Sequence, residues 1–157
     1  MKIFVSYGHE DYPEIITKLV NDLSRNFTVW TDEKLHLGNV WHKEIDENIS
    51  KCDVFLFIHA KYSIRKESYC WGEIEYAQKN NKPVCVLVLE DFEKMSSLLL
   101  QCQSLRIEQI VDYLGELDEQ EYEIALKLIQ KELKRTFEDK KTTHQSFFAQ
   151  TLMNKKG

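Results

Sequence analysis

The sequence predicts an α/β domain with a parallel sheet of about five strands and helices on both faces. Three observations carry this. Short apolar runs alternate with amphipathic segments of helical period, the connections between them are short, and Val54–Ile58 is continuously apolar, as a strand covered on both faces must be.

Taken in order, Lys2–Ser6 is an apolar strand that ends in the polar loop Tyr7–Tyr12. A helix follows: Asp11 with Glu14 three residues on resembles a capping box, Pro13 suits a first turn, and Ile15, Ile16, Leu19, Val20 and Leu23 form one stripe. Phe27–Trp30 is a second strand. Segment 31–40, TDEKLHLGNV, has the polar residues and glycine of a loop, where function often lies. Trp41, Ile45 and Ile49 recur every four residues and mark a second helix, and Val54–Ile58 follows as the third strand.

Segment 68–77, SYCWGEIEYA, predicts a third helix starting near Ser68, stopped by Asn80-Asn81-Lys82. Pro83 then opens a fourth strand, Val84–Leu89, at a position where it costs no ladder hydrogen bond. Residues 91–104 read as a short helix with loops and Leu105–Ile110 as a weaker fifth strand. From about Asp118 to Phe137, Tyr122, Ala125, Leu126, Ile129, Leu133 and Phe137 place an apolar stripe on a long closing helix. The expected organisation is one domain, 1–138, with 139–157 as a polar, basic tail or linker.

Composition excludes several classes. The chain has 157 residues, 43% of them hydrophobic, enough for a single core. A net charge of −5 argues against general nucleic-acid binding, which needs a concentrated basic face. No run of about 18 apolar residues occurs, and Ile3-Phe4-Val5 is too brief for a signal peptide. A cytoplasmic protein, not membrane-bound, is the expectation. Cys52, Cys70, Cys85 and Cys102 are widely spaced, with no matching histidine cluster, so they read as buried small hydrophobes and not as a metal site.

The most informative residue is Glu73. It follows an apolar strand, so its carboxylate is expected near a strand-to-helix mouth, where parallel-sheet folds place ligands. Tyr69 lies one helical turn before it on the same face. A solvated glutamate on an amphipathic helix is the plainer alternative. His9 and His59 are candidate general bases by residue type, yet neither has an acid or nucleophile beside it in sequence.

Three motifs stand in order along the chain: segment 3–11, IFVSYGHED, with Ser6-Tyr7 at the strand end; Asp32, Leu35, Gly38, Trp41, Ile45 and Ile49, then Cys52-Asp53-Val54; and Tyr69-Cys70-Trp71-Gly72-Glu73-Ile74. Together they resemble the Toll/interleukin-1 receptor (TIR) domain family, of the bacterial NAD-consuming type. The first is similar to that family's first box, the second to its second strand, mobile loop and next helix, and the third stands where members commonly have Trp-Cys-x-x-Glu-Leu. The resemblance covers residues 2–90 and fades beyond residue 110.

It implies a flavodoxin-like fold and an NAD⁺ nucleosidase that breaks the nicotinamide–ribose bond, releasing nicotinamide and ADP-ribose or a cyclic isomer. NAD⁺ is then the substrate; no cofactor or metal is implied. Glu73 would be catalytic, stabilising an oxocarbenium-like ribose. Ser6, Tyr7, Gly8, Asp32, Lys34, His36, Gly38, Trp41 and Tyr69 would line the substrate. Among these, Tyr7 and Gly8 fall on the nicotinamide-ribose side, Tyr69 is an aromatic wall, and Lys34 meets the diphosphate. Tyr7 or Gly38 as turn residues, Lys34 as a solvated charge and Trp41 as a core anchor are the alternatives. Four positions depart from the family pattern: Gly8 replaces a Ser or Arg, Tyr69 a Trp, Ile74 a Leu, and His59 a small polar residue. The resemblance also implies bacterial anti-phage signalling with a sensor or effector partner, and homotypic self-association; a non-catalytic scaffold is the alternative from another class.

Overall fold

The computed structural model describes residues 1–32, 40–91 and 95–155, with side chains described outside 40–42 and 140–155. Five strands, β1 (Lys2–Ser6), β2 (Thr28–Thr31), β3 (Val54–His59), β4 (Val84–Val88) and β5 (Gln103–Arg106), form one sheet in the order β2-β1-β3-β4-β5. Every pairing is parallel. This is the flavodoxin-like order, in which successive strands are added on one side of β1 and then on the other.

Strand alternation divides the core in two. On one face Ile3, Val5, Val54, Leu56, Ile58, Cys85 and Leu87 pack under α1 (Pro13–Leu23) and α5 (Glu119–Lys155). On the other, Phe4, Phe55, Phe57, Val84, Val86 and Val88 pack under α2 (Val40–Lys51), α3 (Cys70–Lys79) and the single turn α4 (Ser97–Leu100). Phe4 stacks between Trp30 and Phe55 at 5.0 and 5.3 Å, so the aromatic side chains of three adjacent strands form one row. Reversal of the winding direction between β2 and β3 puts helices on both faces and opens a crevice at the carboxyl ends of β1 and β3.

Helix α1 does not begin with a capping box. Asp11 is buried, and its carboxylate accepts the backbone N–H groups of Tyr62 and Ser63 at 2.9 and 2.8 Å. The cap position falls to Tyr12, left-handed at φ 44°, with no side-chain cap. Asp11 therefore clamps the β1–α1 loop to the β3–α3 loop. Two bonds to orphan donors in a buried loop outweigh one bond at an exposed helix end. Pro13 does open the helix, as expected.

Two further elements differ from the sequence expectation. The fifth strand lies at Gln103–Arg106, and the segment expected to be strand contains a 3-10 turn, Glu108–Ile110. As an edge strand, β5 is mostly exposed and lacks an apolar signature, whereas Ile107 and Ile110 are buried against α5 and mimic one. Helix α5 also continues past Phe137 to Lys155. Residues 138–155 contain no Gly or Pro to stop it.

Cys52, Cys70 and Cys85 are buried, Cys102 is partly buried, and all four are free thiols. No helix among the described residues is long and apolar enough to cross a membrane.

Helices α1 and α5, about a hundred residues apart in sequence, are joined on one face by the Tyr122 hydroxyl, which donates to the buried Asp22 carboxylate. Lys18 reaches both the same carboxylate and the Tyr122 ring. Tyr122→Phe leaves the ring in place and removes the donor. Urea denaturation is expected to show a loss of about 1–3 kcal/mol, the cost of a buried carboxylate losing its hydroxyl donor.

Candidate active site

The crevice at the β1/β3 switch point collects side chains from four elements. Ser6 is the last residue of β1, Asp32 follows β2, Tyr7 and His9 lie in the β1–α1 loop, and Tyr69 and Glu73 sit before and in the first turn of α3. Strand ends supply fixed positions, and the first turn of a helix turns its side chains back over the strand that precedes it.

Glu73 is only 6% exposed. Its Oε1 accepts the Ser6 hydroxyl at 2.7 Å, while Oε2 has no partner among the described residues. Asp32 shows the same asymmetry: Oδ1 lies 2.9 Å from His9 Nε2, and Oδ2 is buried without a partner among the described residues. Two carboxylates thus share one water-poor crevice, each presenting an uncommitted oxygen.

Burial, then the charge of Asp32, push Glu73 up to about 8, against the lowering effect of the Ser6 hydrogen bond; Asp46 on α2 adds a further raising contribution. At neutral pH the resting protein holds Glu73 mostly protonated. Burial and the same Asp32 carboxylate push the Tyr69 phenol far above its ordinary range, so it stays a donor, and its hydroxyl donates to the Tyr7 carbonyl at 3.0 Å. Burial, then Glu73, push the neighbouring Cys70 thiol up to about 12, so it is neutral and no nucleophile.

Of the expected site residues, Ser6, Tyr7, Asp32, Tyr69 and Glu73 are brought together here. Tyr7 is a buried residue whose ring packs with the core on the α1 side and stands 5.3 Å from the His9 ring. Gly8 has a packing reason of its own: a Cβ there would sit 2.5 Å from Asp11 Oδ2 and 2.7 Å from the Ser63 amide nitrogen. The position that many family members fill with Ser or Arg is here closed by the Asp11 clamp. Lys34, His36 and Gly38 lie outside the described residues, and Trp41 is described only as backbone in α2.

His9, which has no acid beside it in sequence, also reaches this crevice. Its acid is Asp32, 23 residues away, and its ring lies 5.3 Å from both Tyr7 and Tyr69. The usable signal was positional: a polar residue just beyond β1 and another just beyond β2, its neighbour in the sheet. His59 is buried and structural, its Nδ1–H donating to the Glu90 carbonyl at 2.9 Å.

Among the described residues no cluster of three or more His, Cys, Asp or Glu is arranged to hold a metal ion. A cavity of about 780 Å³ opens at the other end of the sheet, beside Lys82, Cys102 and Gln103 at the amino ends of β4 and β5. It has no buried carboxylate to react with.

Fold and site together define an α/β domain with a buried carboxylate pair at the switch point of a flavodoxin-like sheet. A family model described as the TIR domain matches residues 3–135, and the chain belongs to that family. No curated protein sequence matches it. Among solved structures it is similar to a 2-deoxyribosyltransferase from the psychrotolerant bacterium Bacillus psychrosaccharolyticus. The TM-score is 0.53 with 16% identity, over 68% of this chain and 85% of that one. It is also similar to the Clostridium botulinum CMP N-glycosidase BcmB, with a TM-score of 0.52 and 18% identity, over 82% of this chain and 99% of that one. At these identities the likeness is one of fold.

The raised Glu73 has a measurable cost. Below the unfolded value of about 4.5 both states are protonated and nothing is lost; as the pH rises toward 8 the unfolded chain ionises while the folded one keeps its proton, so stability falls. Glu73→Gln removes this dependence and can still accept from Ser6. Its stability advantage over the parent is expected to grow by on the order of a few kcal/mol between pH 5 and pH 8.5, read by urea denaturation at both.

Proposed function

We propose that the protein is an NAD⁺ nucleosidase, cleaving the nicotinamide–ribose bond to release nicotinamide and ADP-ribose or a cyclic isomer, with Glu73 as the catalytic carboxylate. The observation that carries this is the pair of uncommitted, buried carboxylate oxygens on Glu73 and Asp32 at the switch point of a TIR fold. Anionic oxygens in a water-poor crevice suit a reaction that moves positive charge onto a sugar.

The pyridinium of NAD⁺ carries the positive charge on arrival. Entering beside Glu73 and Asp32, it favours the ionised form of Glu73, and substrate binding near neutral pH is accompanied by loss of that proton. As the bond breaks, nicotinamide departs neutral and the charge passes to the ribose as an oxocarbenium-like species. The carboxylates, already in place, stabilise it without reorganisation. A neutral leaving group requires no general acid. Water or a nucleophile of ADP-ribose itself then takes the anomeric carbon, giving the linear or the cyclic product. The CMP N-glycosidase of similar fold is named for N-glycosidic chemistry in that protein; the fold by itself does not assign it here. The proposed setting is the cytoplasm of a bacterium, in anti-phage immune signalling, with a sensor or effector protein as partner.

The test is chromatography of NAD⁺ incubated with concentrated protein, with and without a crowding agent that promotes assembly. Nicotinamide release is expected, with loss of at least about a hundredfold in Glu73→Gln, which keeps the Ser6 contact and the fold. Below pH 8, kcat/KM is expected to rise about tenfold per pH unit as Glu73 ionises in the free protein. Undiminished release by Glu73→Gln would remove the assignment.

A second reading, signalling by TIR–TIR self-association, is favoured by a separate observation. Tyr113 and Leu114 are 95% and 67% exposed at the tip of a turn that Asp112 braces by accepting from the Leu114 and Glu116 amides. A rigid apolar tip suits a contact surface. Tyr113→Ser with Leu114→Ser is expected to leave thermal stability within about 0.5 kcal/mol of the parent while weakening any concentration-dependent assembly seen by sedimentation.

A further inference from the structure

We propose that α5 carries a self-complementary contact: two copies of this chain pair through their α5 helices, antiparallel about a two-fold axis midway between Ile124 and Leu128. This deepens the self-association reading and does not depend on cleavage of NAD⁺.

The apolar part of the contact is exposed. Among the described residues four of the five exposed large hydrophobics lie between residues 113 and 128, and two of these, Ile124 at 55% and Leu128 at 43% exposed, sit one turn apart on α5. The side of α5 that enters the core is a different one, made of Tyr122, Ala125, Ile129, Leu133 and Thr136. Steps of three residues extend the exposed seam to Glu121 before Ile124 and to Lys131 after Leu128. The seam therefore runs acid, apolar, apolar, base over about 15 Å of helix.

That order is the one a second copy needs. A half-turn about the midpoint lays Ile124 on Leu128 of the second copy and sets Glu121 beside Lys131 of the second copy, and the symmetry makes each contact twice. A parallel pair in register sets acid on acid and base on base instead.

Neither charge is met within its own helix. The neighbours of Lys131 at three and four residues are Lys127, Leu128, Lys134 and Arg135, and those of Glu121 on α5 are Ile124 and Ala125. Neither Glu121 nor Lys131 enters an ion pair among the described residues. Lys127, Lys131 and Arg135 are exposed like charges four residues apart, an arrangement that destabilises an isolated helix. The helix dipole accounts for Glu119 and Glu121 in the first turn. It does not account for the basic cluster, because α5 runs on to Lys155 and the dipole acts only within the last turn. An antiparallel partner brings its acidic first turn to that cluster. With one short seam on each side, the pair is a reversible association that forms at high local concentration, not a permanent dimer.

The experiment is sedimentation velocity of the full chain over a concentration series at low salt. Glu121→Lys or Lys131→Glu turns both attractive pairs of the dimer into repulsive ones, and each is expected to weaken assembly at least about tenfold. The double variant pairs with itself again and is expected to return to within about threefold of the wild type. An equimolar mixture of the two single variants is expected to assemble at a total concentration where neither does alone, since one chain then offers a base at both positions and the other an acid. Rescue requires folded chains, so it separates a lost contact from a lost fold. A wild type that stays monomeric at its highest soluble concentration overturns the proposal, as do single variants that assemble like the wild type, or a double variant and a mixture that stay apart. Assembly that is lost in Tyr113→Ser with Leu114→Ser but indifferent to both charge variants overturns the α5 contact and leaves the self-association reading standing.

Discussion

The hydrogen bond from Ser6 to Glu73 is the contact on which the site depends. It joins the last residue of β1 to the first turn of α3 across 67 residues of sequence, at the one place where the sheet's winding reverses. Because it occupies one carboxyl oxygen and leaves the other without a partner among the described residues, it orients Glu73 without closing off its second oxygen. One neutral hydroxyl is too weak a donor to offset burial. Burial and the charge of Asp32 therefore favour the uncharged carboxyl, and the protein carries that penalty as stability lost with rising pH.

The loops that frame the crevice are held by a second buried carboxylate with a different task. Asp11 accepts two backbone amides of the β3–α3 loop, and Gly8 lets that loop approach within the space a Cβ would fill. The two acids contrast in what they are given. Asp11 receives two backbone donors and serves architecture. Glu73 receives one hydroxyl, and Asp32 one imidazole; each retains an oxygen without a partner among the described residues. Buried carboxylates are sorted into structural and chemical roles by how completely their hydrogen bonds are satisfied.

Much of this was legible residue by residue. The core strands β1, β3 and β4 stood out because both of their faces are covered, which forces continuous apolar runs; α1 and the first half of α5 stood out through their stripes. The edge strand β5 did not, since exposed backbone pairing leaves no mark on composition. Glu73 was legible through its place after an apolar strand. The role of Asp11 was misread because a capping box and a long-range clamp use the same residue type, and only the position of Tyr62 and Ser63 tells them apart.

What the sequence by itself determined is the alternation of elements, the parallel sheet they imply, and the family whose motifs Ser6-Tyr7, Asp32 and Glu73 carry. Those are properties of local pattern and order along the chain. Only the tertiary structure decided that His9 meets Asp32, that Asp32 raises Glu73, and that one oxygen of each acid stays uncommitted among the described residues. Protonation and hydrogen bonding depend on distances of a few ångströms between residues far apart in sequence. No spacing along the chain encodes those distances until the strands are laid side by side.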